Sequence, residues 1–209
     1  MEANGSKSAI ALQQFLRSLL RKSRKRGEFL PMRRQIFWIR LAGVVMSLVF
    51  SANCRGPENP PVHLYTDPQY GFRIASPDSG WIITDETGIP EVLVIMKSNA
   101  MAGDFVPNVN IAVENLPAMM TAREYGEKNR KFLAAQGYEI LALQQTVINH
   151  NVFYDLQCLN RQVSPSVRFR YLCLVKNQSG FIITCTAREN DYAVFARDFE
   201  FMVNSFRFF

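Results

Sequence analysis

Four cysteines, Cys54, Cys158, Cys173 and Cys185, are the strongest candidates for chemistry in this 209-residue chain. Cys54 stands apart from the others. It closes the stretch Met32 to Cys54, MRRQIFWIRLAGVVMSLVFSANC. Arg33, Arg34 and Arg40 give that stretch a basic start, and Leu41 to Phe50 form an uncharged apolar core. The core fits the ~7–15 residues of a signal-peptide apolar region and falls short of the ~20 that cross a bilayer. Acylation of the Cys54 thiol is the chemistry this arrangement points to. The residues before it are irregular for that purpose. Ala52 fits, but Ser51 stands where a lipid-attachment motif carries leucine, and Asn53 where it carries glycine or alanine. An ordinary cleaved signal, or an uncleaved anchor with Cys54 incidental, is the competing reading.

With Cys54 acylated, an odd number of thiols remains in an oxidising compartment. They fall on three successive strand patterns. A hairpin centred near Pro165 would bring Cys158 close to Cys173. One centred between Gln178 and Ser179 would do the same for Cys173 and Cys185. Two readings stay open: buried thiols acting as small apolar groups, or a single cross-strand disulfide involving Cys173, with Cys158 as candidate partner. No CxxC or neighbouring histidine suggests a metal site.

His63 and His150, the only histidines, read as lone surface residues. Asp85, Glu86 and Glu91 match no calcium-loop spacing and read as a solvated acidic loop. Arg168 and Arg170 share one strand face. They could bind an anion, lie on an exposed sheet face, or contact a helix. The sequence contains no G-x-S-x-G, Walker loop, dinucleotide-binding glycine pattern or H-E-x-x-H. No catalytic, cofactor or metal residue is therefore assigned.

The net charge of +6 suggests nucleic acid until it is divided. Residues 1–54 hold 10 of the 24 basic residues and 2 of the 18 acidic ones. Residues 55–209 are left with 14 basic and 16 acidic residues, a net charge of −2. The expected globular part thus lacks a general attraction for phosphate, and no nucleic-acid partner is expected.

Four segments follow. Residues 1–31, with the basic run Arg21 to Arg26, form an extension. It is a mis-assigned start, a long basic leader or a cytoplasmic tail. Residues 32–54 form the signal. Residues 55–64 are a tether in which Pro57, Pro60 and Pro61 favour extended chain, reaching roughly 30 Å at ~3 Å per residue. Residues 65–209 form the domain.

Within the domain, strands are expected at Tyr70 to Ala75 and Trp81 to Thr84, on one edge. Val92 to Met96 reads as a central strand and Val109 to Val113 as a half-buried one. Thr121 and Glu124 form a capping box for a helix from Thr121 to Gln136, stopped by Gly137. Four strands follow as a meander: Ile140 to Ile148, Val152 to Asn160, Val167 to Lys176 and Phe181 to Arg188. A closing helix runs from Asp191 to Asn204, with Tyr192, Phe195, Phe199 and Met202 on one face. The fold class is α+β: an antiparallel sheet of six to seven strands flanked by helices.

Tyr70-Gly71-Phe72-Arg73-Ile74, followed by Pro77 and Trp81, resembles the opening of PsbP-like and DcrB-like domains. Pro107 to Val113, Glu124-Tyr125, Gly137-Tyr138 and Asn204-Ser205-Phe206 are similar too, in the same order. The resemblance implies a flanked antiparallel sheet. It also implies an exported or lipid-anchored, non-enzymatic protein of the cell envelope that works with a protein partner. A small-ligand carrier, or a hydrolase or transferase with an unrecognised cleft, are the alternatives.

Overall fold

The computed structural model describes residues 63–77, 80–100 and 105–209. The segments expected as extension and signal, with Cys54, lie outside these residues, as does the expected tether up to residue 62. The chain order is β1 His63–Asp67, β2 Phe72–Ser76, β3 Trp81–Thr84, β4 Val92–Ser98 and β5 Asn108–Asn115. Helix α1 Ala122–Ala135 follows, then β6 Glu139–Ile148, β7 Asn151–Asn160, β8 Val167–Lys176 and β9 Ser179–Arg188. Helix α2 Tyr192–Ser205 and β10 Arg207–Phe208 close the chain.

The strands form two sheets. The large one is antiparallel, seven-stranded and ordered β3-β4-β5-β9-β8-β7-β6. The small one has the order β1-β2-β10. Helix α1 carries the chain from β5 to the far edge, and the β6-to-β9 meander returns to close against β5. The expected α+β class holds. Two details change. Trp81 to Thr84 does not extend the edge begun at Tyr70; β3 pairs with β4 in the large sheet, while β2 belongs to the small one. His63 and Leu64, expected in the tether, instead pair with Ser76 and Ala75 in β1.

Each element has a local cause. The Thr121 hydroxyl accepts from the Glu124 amide, and the Glu124 carboxylate accepts from the Thr121 amide at 2.7 Å. That satisfies donors which the first helical turn leaves free. Gly137 ends α1 at φ +81°, a left-handed conformation that costs glycine little. The hairpins β6–β7 and β8–β9 turn on Asn149-His150 and Asn177-Gln178, all at positive φ. This is the two-residue turn that matches strand twist.

Helix α1 covers one face of the large sheet, burying Tyr125 and Leu133 against Leu156, Phe169 and Ile182. Helix α2 and the small sheet cover the other, where Phe195, Phe199 and Met202 meet Phe72, Val109, Ile111 and Ile183. This corrects the half-buried assignment of β5. Asn110 and Ala112, on its second face, are as buried as Ile111, because both faces of the sheet are covered.

Candidate functional site

The cysteines of the large sheet are three free, buried thiols. Register sets the pair considered for a disulfide apart. Cys158 faces Phe169 and Cys173 faces Tyr154, so the two stand four residues out of step. At ~3.3 Å per residue that is about 13 Å along the strands, and a disulfide needs Cα atoms within ~7 Å. The hairpin centre expected at Pro165 lies near Val163 instead. Cys185 faces Arg170, on the opposite sheet face from Cys173. Burial pushes the Cys158 and Cys185 thiols up to about 12 and raises Cys173 as well. Neutral thiols make poor nucleophiles and poor metal ligands.

Arg168 and Arg170 contact helix α2. The Arg170 guanidinium lies 2.9 Å from Asp155 and 2.5 Å from Glu200. Burial opposes its charge, but the hydrogen bond and the two carboxylates outweigh burial and hold it above the ordinary arginine value. Arg168 donates to Gln157 Oε1 at 2.9 Å and lies over the Tyr192 ring at 4.6 Å. Trp81 Nε1 donates to Asp198 at 2.9 Å, fixing the same helix to β3. These charged and polar groups secure a helix to a sheet.

His63 and His150 are exposed, in β1 and in the β6–β7 turn. Asp85 and Glu86 are exposed in a turn where Thr87 Oγ1 donates to the carbonyls of Ile89 and Val92. Among the described residues no group of three His, Cys, Asp or Glu is placed to hold a metal. None of their helices is long and apolar enough to cross a membrane.

On the α1 face, beside the part the helix covers, Asn110, Thr184 and Tyr171 form one rung across β5, β9 and β8. Asn108, Thr186 and Phe169 form the next. Asn110 Oδ1, Thr184 Oγ1, Thr186 Oγ1 and the Tyr171 hydroxyl are buried without a hydrogen-bond partner among the described residues. Burial raises the Tyr171 phenol well above its ordinary value, so it stays a neutral donor. The row leaves hydrogen-bonding capacity unused among the described residues. Its one sequence signal is Asn110, in the polar phase of the strand expected from Val109 to Val113.

The layered sheet has counterparts among solved structures. The solution structure of cyanobacterial PsbP (CyanoP) from Synechocystis sp. PCC 6803 matches 76% of this chain and 99% of its own, with a TM-score of 0.53 and 18% identity. The domain has the PsbP-like fold. A Pseudomonas aeruginosa protein of unknown function is similar over 69% of this chain and 94% of its own, with TM-score 0.49 and 13% identity. A Bacteroides thetaiotaomicron protein is similar over 70% of this chain and 48% of its own, with TM-score 0.47 and 11% identity. No family model and no curated protein sequence matches this chain. The likeness that the sequence shows from Tyr70 to Phe206 thus reflects a PsbP-like domain in three dimensions.

Proposed function

We propose that the chain is an exported protein of the cell envelope, held on a membrane by an acyl chain on Cys54. Its PsbP-like domain acts as a non-catalytic binding or accessory module for a protein partner there. The junction at Cys54 carries the reading. A basic leader and short apolar core end at one cysteine, a proline-bearing run follows, and strand β1 starts at His63. The thiols and arginines of the domain support a structural rather than reactive use. The thiols are buried and raised, and Arg170 is held by Asp155 and Glu200. Growing the producing bacterium with an alkyne-tagged palmitate tests it. Label should reach the parent chain and fail to reach Cys54→Ala; equal labelling of both would refute the anchor.

A second reading, a small-ligand carrier, draws support from the unpartnered row of Asn110, Thr184, Thr186 and Tyr171. Its ligand would be neutral and rich in hydroxyl or amide groups, matching donors and acceptors that stay uncharged. Native mass spectrometry of the protein taken from its own envelope would show a bound small molecule under this reading and none under the first.

A further inference from the structure

The small sheet has one face against the core and one turned outward. Tyr65, Phe72, Ile74 and Phe208 belong to the inner side. Alternation puts Leu64, Thr66, Arg73, Ala75 and Arg207 on the outer side, and all but Ala75, which is buried beside Ser205, are exposed. Phe209 continues that side, its amide donating to the Gly71 carbonyl at 3.0 Å, and the residue is 70% exposed. Leu64 is 57% exposed.

Arg73 and Arg207 stand directly opposite each other across the β2–β10 pair. Like charges in that position destabilise a sheet unless something anionic answers them. Neither arginine has a carboxylate partner among the described residues. Thr66, the third residue of that rung, is uncharged. The face therefore combines two unanswered cations with an exposed leucine and phenylalanine, the composition that settles at a lipid headgroup boundary.

Chain connection selects the occupant. β1 is the element that the tether enters, and eight residues separate Cys54 from His63. At ~3.1 Å each, that is a reach of about 25 Å. With Cys54 in the bilayer, the small sheet is the part of the domain kept nearest to it. We propose that this outer face docks on an anionic lipid surface, with Arg73 and Arg207 on phosphate groups and Leu64 and Phe209 at the acyl boundary. Docking would turn helix α1, on the far face of the large sheet, away from the membrane. The proposal rests on the anchor at Cys54.

The test uses the full chain, processed in a lipoprotein-producing host and reconstituted in phosphatidylcholine vesicles with or without phosphatidylglycerol. A thiol-directed spin label goes on Thr66→Cys or, separately, on Phe209→Cys. A control label goes on Gln145→Cys in β6. The label at 66 or 209 should be shielded from a water-soluble relaxation agent on anionic vesicles, while the label at 145 stays in water. Replacing Arg73 and Arg207 by glutamine should cut the docked-to-free ratio about 30-fold, from roughly 5-fold per arginine. Vesicle-bound protein with all labels in water would overturn the docking and leave the anchor standing. Spin label on Cys54 in the parent chain would overturn the anchor, and the docking with it.

Discussion

Arg170 and Asp155 form a charged pair 2.9 Å apart between β8 and β7, with the Asp155 side chain 2% exposed. Glu200 of α2 meets the same guanidinium from the solvent side, where it is 55% exposed. A buried pair stabilises little as a whole but is costly to break on one side. Asp155→Asn should therefore lower unfolding free energy by about 3–5 kcal/mol in a urea titration. Glu200→Gln should cost no more than ~1 kcal/mol. Similar costs for the two would show that the pair is not the buried centre of this contact.

Helix α1 sits close enough to the sheet that Gly180 has no room for a side chain. A Cβ there would come 2.5 Å from Tyr125 Cζ. Gly126 on the helix has the same relation to Tyr154, at 2.7 Å from its Cβ. Gly180→Ala should destabilise the protein by about 1–3 kcal/mol through overpacking. In a Tyr125→Leu background the added cost should shrink, since the ring that causes the clash is gone. Additive effects would place the strain elsewhere.

The large sheet owes much of its form to features written plainly in the chain. The capping box at Thr121 and Glu124, the Gly137 stop and the α2 stripe of Phe195, Phe199 and Met202 all stand where local chemistry puts them. What local pattern could not supply was layering and register. Asn110 and Ala112 look like a solvent-facing phase until a second cover buries them. The cysteine alignment failed because the β7–β8 hairpin centres about two residues from Pro165, which moves the cross-strand partners by four. β10, two residues long, carries no periodicity to read. Leu64 was hidden by the prolines before it.

Burial of the thiols makes a pH prediction. Their values are raised in the folded state, to about 12 for Cys158 and Cys185. The neutral form is thus favoured on folding, and that stability is complete below the unfolded thiol value. It is lost as pH climbs from about 9 toward 12, because the unfolded chain ionises first. Each thiol should remove about 1.4 kcal/mol per pH unit in that window. Thiol reagent at neutral pH should modify none of the three until the chain unfolds. Fast modification of Cys158 in the folded protein would contradict its burial.

Thr184 separates the structural use of the polar row from a ligand-binding one. Its hydroxyl is buried and unpartnered among the described residues. Thr184→Val should leave stability unchanged or raise it by up to ~1 kcal/mol, since an orphaned polar group is removed. A loss of that size or more, in protein purified from its own envelope, would mean that the hydroxyl has a partner there and would favour the carrier reading.

The anchor is tested most directly by the intact mass of the mature protein extracted from the envelope. The account predicts a chain whose first residue is Cys54, carrying the added mass of lipid acyl groups on that residue. A mature chain that begins elsewhere, or that keeps residues 1–53 with Cys54 unmodified, would contradict it.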